Sequence, residues 1–351
     1  MIRVLRRREL GRATLARQLL LDRAGCSPLS AIRSLAGLNA QLVPTAYLSL
    51  AARLSSFETG QLVDLLRGKQ IARANLMRGT IHLLDTEDYV RWRPALQPVL
   101  ERVFRGFNAK TWREVDPDRV RFEAEQLLRT VAPDRGDLRR ELGSDAAMFF
   151  ARVALPLVQI PPAGEWGTRS VPRYAWAETW FERELPAEGE LEDLIRRYLS
   201  AFGPASVADI QYWSGFTGLS PVCKQLGLAV FEDENGKQLY DVPDAPLPDA
   251  GIPAPVRLLP EFDNLVFAHA DRTRIVPAEA KKYLQPKAGQ FRSPLLVDGM
   301  VAGTWRWERA RDRLAVAPFE TLPSRYGDEV RLEAERTAAF LSPSGSAVIE
   351  S

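Results

Sequence analysis

Three times along this chain, amphipathic helices give way to a short β pair closed by a tight turn, and this alternation limits the fold more than any other feature. In the first stretch Pro28 stands at a first-turn position of the helix SPLSAIRSLAGL, where its missing N–H costs nothing. Helical stretches over 11–25, 45–54 and 57–67 surround it, and IARANLM and IHLLD form a β pair about the turn Arg78-Gly79-Thr80. The second stretch has a long helix over 87–107 and another over 116–130, with Asp116 capping before Pro117. Helices near 133–142 and 145–155 and the strands LVQI and RYAWA complete it. The third begins near Leu191, and its hairpin AVFEDENGKQLYDV turns at Asn235-Gly236. Helices that build a core and a hairpin that forms a wing beside it are the winged-helix pattern.

The expected fold class is therefore mainly α with β-hairpins (α+β): three tandem winged-helix units over 1–86, 87–185 and 186–245. A Pro-rich linker over 243–255 leads to a C-terminal mainly-β region, 254–351, with Asp298-Gly299 as a hairpin turn and a closing helix near 325–342. That last region reads as a small mainly-β unit, a barrel.

Charge gives a second constraint. Residues 1–140 carry 25 Lys and Arg against 15 Asp and Glu, and the remainder carries 22 against 30. A basic front and an acidic back suit a polyanion partner on one face, while solvated helix faces are the plainer explanation. Only seven of the 47 basic residues are Lys, and the planar arginine fork suits phosphate. No apolar run reaches the length of a membrane helix. Glu9, Arg12 and Arg17 break the apolar start, so a signal peptide is not expected. Cys26 and Cys223 are too few and too distant for a disulfide framework or a metal site, and the cytoplasm is the expected compartment. Walker, HExxH and paired CxxC patterns are absent, so neither metal nor cofactor is expected.

No motif is decisive on spacing alone. His82 stands in the first hairpin, as a structural hydrogen-bonder or a DNA contact. His269, before Asp271 and Arg272, ends an apolar stretch, facing a site or satisfying a turn. Glu261 and Asp263 at i and i+2 would share a strand face as acid or base groups, or else serve as caps. By composition alone Asn39-Ala40-Gln41 is a turn.

Five strings stand in order: RQLL at 17–20, LNAQ at 38–41, MRGTIHLL at 77–84, LLPEFDNLVFAHADRTR at 258–274 and LLVDGMVAGTW at 295–305. Together they resemble the winged-helix DNA-binding family that contains the AlkZ-like DNA glycosylases, across nearly the whole chain. The resemblance implies a basic concave surface for duplex DNA and excision of bulky or cationic alkylated purines, including N7-linked guanine adducts, with interstrand crosslinks unhooked by some members. It implies a Gln–apolar–Gln catalytic element, matched here by Asn39, Ala40 and Gln41, with Asn39 keeping the amide on a shorter arm. Arg73, Arg78, His82, His269 and Arg272 are the expected DNA contacts, and a monomer is expected. An N7-alkylated guanine already carries positive charge, so neutral amides that orient a water and face an oxocarbenium-like sugar are sufficient. No lyase step through Lys is required. A DNA-binding protein without catalysis is the alternative, and a partner-binding role for the wings is a third reading.

Overall fold

A computed structural model describes residues 2–107, 115–287 and 290–350, and shows a mixed α and β protein. In the first hairpin region the helices Pro28–Ser34, Val43–Arg53 and Thr59–Arg67 pack on a sheet ordered Leu38–Asn39, Ile81–Asp85, Ile71–Asn75. Ser27 caps the first of these helices by accepting from the Ser30 N–H, and Pro28 follows it. Ile32, Leu35, Tyr47, Leu62, Leu66 and Leu83 fill the core between helices and sheet.

The same order recurs twice. Pro117–Leu128, Arg135–Glu141 and Asp145–Ala154 precede the antiparallel pair Leu157–Ile160 and Arg173–Trp176, and Asp134 bridges to Arg173 as a one-residue third strand. Asp116 caps the first helix by accepting from the N–H groups of Asp118 and Arg119, as the sequence predicts. Leu191–Phe202, Val207–Ser214 and Ser220–Gln225 precede the hairpin Ala229–Asp233 and Gln238–Asp241, with Ala205 bridging to Tyr240. Leu84, Trp92, Val158, Tyr198, Phe202 and Trp213, drawn from all three stretches, share one apolar cluster.

Several expectations need correction. The helix expected over 11–25 is Arg7–Arg17: Glu9 accepts from the Arg6 N–H at 2.8 Å to start it early, and Leu19 in the left-handed region stops it. Before it, Arg3–Leu5 pairs in parallel with Phe231–Asp233, so the N-terminus joins the third hairpin's sheet. The single helix expected over 87–107 is two, Thr86–Trp92 and Gln97–Phe107, because Pro94 cannot continue the ladder. The stretch 254–269, whose texture reads as strand-rich, is not: only Arg257–Leu258 pairs, Asn264–Phe267 is a 3-10 turn, and Arg272–Arg274 just after it is another. Asp263 and Asp271 accept from the N–H groups of Leu265 and Thr273 and turn the chain there.

The C-terminal part is an open five-stranded sheet rather than a barrel. It is ordered Ser346–Ile349, Arg313–Pro318, Met300–Glu308, Ser293–Val297, Arg257–Leu258. The helix Gly327–Leu341 lies on it, burying Val330, Ala334 and Ala338 against Leu295, Leu314 and Val316. Among the described residues no helix is long and apolar enough to cross a membrane.

Candidate functional site

The turn after the two-residue strand Leu38–Asn39 is held from four directions. Asn39 pairs with His82 across the sheet. Its side-chain Oδ1 accepts from the Gln41 N–H at 3.0 Å, an Asx-turn of the kind asparagine forms. The Ala40 N–H donates to the Ile81 carbonyl at 2.8 Å, and the Gln41 Oε1 accepts from the Ile81 N–H at 3.0 Å. From below, Arg73 donates to the Ala40 carbonyl at 2.9 Å. From the C-terminal part, Asn264 accepts from the Asn39 N–H at 2.8 Å and donates to the Gly37 carbonyl at 2.6 Å. The two amides end in different settings: Asn39 is 7% exposed, while Gln41 is open to solvent. Each side-chain carbonyl has spent one lone pair on a backbone N–H and keeps a second. Asn264 was not singled out in the sequence, although it directly follows the PEFD string; nothing in its spacing marks it as a tie to residue 39.

A second feature adjoins this turn along the hairpin. Arg78, with φ of 55°, donates to the Trp213 carbonyl and lies over the Tyr212 ring at 5.8 Å. Arg272 donates to the Tyr212 hydroxyl, lies over the same ring at 5.7 Å and over Phe267 at 4.7 Å. Burial first, partly offset by Tyr212, and then the nearby Arg272 weaken the hold of Arg78 on its proton. Two guanidiniums against one tyrosine, both partly buried, form a local excess of positive charge. A cleft of about 360 Å³ opens beside them, lined by Tyr212, Arg272, Lys281, Leu284 and Phe291. Tyr212 carries no sequence signal that separates it from an ordinary helix residue.

The other expected contacts lie inside the protein. Arg73 is 5% exposed, with its Cδ packed where a Cβ on Gly164 would fall. Burial lowers its pKa to about 10, and its visible role is to pin residue 40. His82 is 1% exposed with Nδ1 on the Thr80 carbonyl, and burial, then Arg78, lowers its pKa to about 3. His269 is 2% exposed with Nε2 on the Phe202 carbonyl, and burial, then Arg274, lowers it to about 3 as well. Both rings are neutral and enclosed at neutral pH, which leaves them no charge to offer a phosphate. In this structure Arg73, His82 and His269, expected as DNA contacts, are enclosed and act as internal supports.

Asp263 is likewise no acid or base group. It is fully buried in a two-pronged pair with Arg53 at 2.7 and 2.8 Å, and it accepts from Ser49 at 2.6 Å. Glu261 is half-buried, and burial raises its carboxyl above the ordinary range. Its carbonyl accepts from Thr45 Oγ1 at 3.0 Å, on the first turn of the helix that follows Gln41. The Asp298-Gly299 hairpin turn is tied down by Arg8 at 2.7 Å and by Arg12. Arg6, Arg7 and Arg8 cap and start the first helix. Among the described residues, no group of three or more His, Cys, Asp or Glu is placed to hold a metal ion.

A family model described as DNA glycosylase AlkZ-like matches residues 32–340, which include the 39–41 turn, the first hairpin and the 258–274 segment. The chain belongs to the AlkZ-like DNA glycosylase family. Membership makes it a DNA glycosylase, a hydrolase of N-glycosyl bonds. An interstrand DNA cross-link repair glycosylase of Streptomyces sahachiroi is 25% identical over 341 residues, spanning 88% of this chain and 90% of the relative. The solved structure of Streptomyces sahachiroi DNA glycosylase AlkZ has a TM-score of 0.78 to this fold at 19% identity, covering 99% of this chain and 100% of that one. The likeness extends the AlkZ-like fold over all four parts described above.

Proposed function

We propose that this AlkZ-like glycosylase hydrolyses the N-glycosidic bond of cationic alkylated purines in duplex DNA, of the N7-alkylguanine type, and that it acts on interstrand crosslinks as its Streptomyces relative's name says of that protein. The three helix-and-hairpin stretches serve as winged-helix units around the duplex. The observation that carries the reading is the 39–41 turn: an exposed Gln41 amide, fixed by Ile81 and backed by a buried Asn39. Gln41 is the group that touches the substrate. Its free lone pair accepts from a water, and the carbonyl dipole faces the positive charge that grows on the sugar. Asn39 holds Gln41 by its N–H and adds a second amide dipole behind it. Arg78 and Arg272 supply phosphate contacts beside the turn. The positive charge on the alkylated base makes it a good leaving group, so no protonating residue is needed; uncharged bases are poor substrates.

A binding role without catalysis is favoured by one observation, that the Asn39 amide is mostly enclosed and engaged in a turn. Duplexes carrying N7-methylguanine and a bulkier N7 adduct, heated in base after incubation, separate the two readings. Base release by the wild type, lost by about 100-fold or more in Gln41→Ala with DNA affinity kept, is expected. Absence of release from every cationic purine would leave only the binding role.

A further inference from the structure

Away from the 39–41 turn, three guanidiniums gather around one enclosed carboxylate. Arg23 donates to both oxygens of Glu333, at 2.7 Å for the longer contact, and Glu333 is 6% exposed. Arg257 is also 6% exposed, and it reaches only backbone carbonyls, those of Val256 at 3.0 Å and Leu21 at 3.4 Å. Arg336 reaches the carbonyls of Leu54 at 3.2 Å and Ser55 at 3.4 Å. The Nε groups of Arg23 and Arg257 are buried and have no acceptor. Asp22, at the surface, is a further acid that acts on Arg257. Arg257 is weakened by burial and by both neighbouring arginines, which places the three cations within one another's field. Buried donors without acceptors and a surplus of positive charge are costly unless an anion completes them.

A cavity of about 180 Å³ lies at this cluster, between the helices Val43–Arg53 and Gly327–Leu341. Arg23, Arg336 and the Glu333 carboxylate form its charged side, two cations to one anion, and Leu48, Phe57, Leu258 and Phe340 its apolar side. We propose that this cavity is a binding site for a small organic anion, a carboxylate or phosphate monoester attached to an apolar body. Of the three guanidiniums, Arg23 and Arg336 reach the cavity and take the anionic group, and the apolar walls take the body. A backbone phosphate of DNA has the charge but no apolar group to fill those walls.

The test is calorimetric titration of the full chain with benzoate, phenyl phosphate and inorganic phosphate. The two ring-bearing anions are expected to bind more tightly than inorganic phosphate. Arg336→Gln, at an exposed position, should weaken all three by about tenfold or more, as loss of a charged hydrogen bond does, with the melting temperature kept. Arg336→Lys should retain most of the binding. Ala51→Leu, which fills the cavity without changing charge, should weaken the ring-bearing probes and spare inorganic phosphate. No binding by any probe at millimolar concentration, or equal binding in Arg336→Gln, overturns the proposal. So does competition by undamaged duplex that Arg336→Gln abolishes, because the anion would then be the DNA backbone.

Discussion

Both histidines of this chain are neutral supports for backbone carbonyls, and that makes them a weakness in acid. Burial, with Arg78 behind His82 and Arg274 behind His269, lowers each from an ordinary 6.5 to about 3. The unfolded chain takes up these protons near 6.5 and the folded chain only near 3. The stabilising contribution is therefore complete above 6.5 and is lost as pH falls through that window, at about 1.4 kcal/mol per pH unit for each ring. The urea midpoint should fall between pH 7 and pH 4.5, and His269→Gln should flatten the fall; an unchanged slope would mean that His269 titrates freely. Glu261 gives a second test at this scale. Burial alone raises its carboxyl, and its backbone carbonyl accepts from Thr45 on the helix that follows Gln41. If amides suffice, Glu261→Gln should release N7-methylguanine within about twofold of wild type, and a large loss would move the chemistry to that carboxylate. The site was only partly legible here. Composition reads Asn39-Ala40-Gln41 as a turn, and the Asx bond is one. Only the family resemblance points to chemistry there, because burial of Asn39 and its tie to Asn264 come from chain more than 200 positions away.

Among the elements, the hairpins and capped helices were plain in the sequence because their signals are local. Asp116 before Pro117, Pro28 after Ser27 and Asn235-Gly236 each act within a few residues. The 254–269 stretch misleads because its apolar residues suggest a strand, while Asp263, and Asp271 just beyond, cap short turns that present apolar residues to a core around Leu265 and Ile275. The first hairpin's tip shows how tightly an element can be fixed. Gly79 has φ of +72°, and a Cβ on it would lie 2.7 Å from Val103 Cγ1, on the helix Gln97–Phe107. Gly79→Ala should therefore cost more than the roughly 1 kcal/mol of the backbone term alone. Adding Val103→Ala should relieve the clash but not the backbone strain, so a thermal melt of the double variant should fall between wild type and Gly79→Ala. A single variant as stable as wild type would show that the tip adapts freely.

At the scale of the molecule, the charge asymmetry has a structural cause that sequence order conceals. Front-half arginines pair with back-half acids: Arg8 and Arg12 with Asp298, Arg17 with Asp241, Arg23 with Glu333 and Arg53 with Asp263. Much of the basic excess is thus turned inward, and seven arginines are buried among the described residues, so richness in arginine overstates the surface offered to DNA. The Arg53–Asp263 pair is the most enclosed of these, with neither side chain exposed, and it joins the helix Val43–Arg53 to the segment that carries Asn264. Removing one partner leaves a buried charge without its match, so Asp263→Asn should cost about 3–5 kcal/mol in a denaturant melt. A well-packed apolar replacement of both, Arg53→Met with Asp263→Leu, removes that penalty and should recover much of the loss. The pair also bears on the candidate site, because Asn264 follows Asp263 directly and holds the Asn39 N–H. Below its melting transition, Asp263→Asn should lose base release more than DNA affinity, since Arg78 and Arg272 stand on other supports. Equal loss of both would mean that the pair holds the whole front against the back rather than the 39–41 turn in particular.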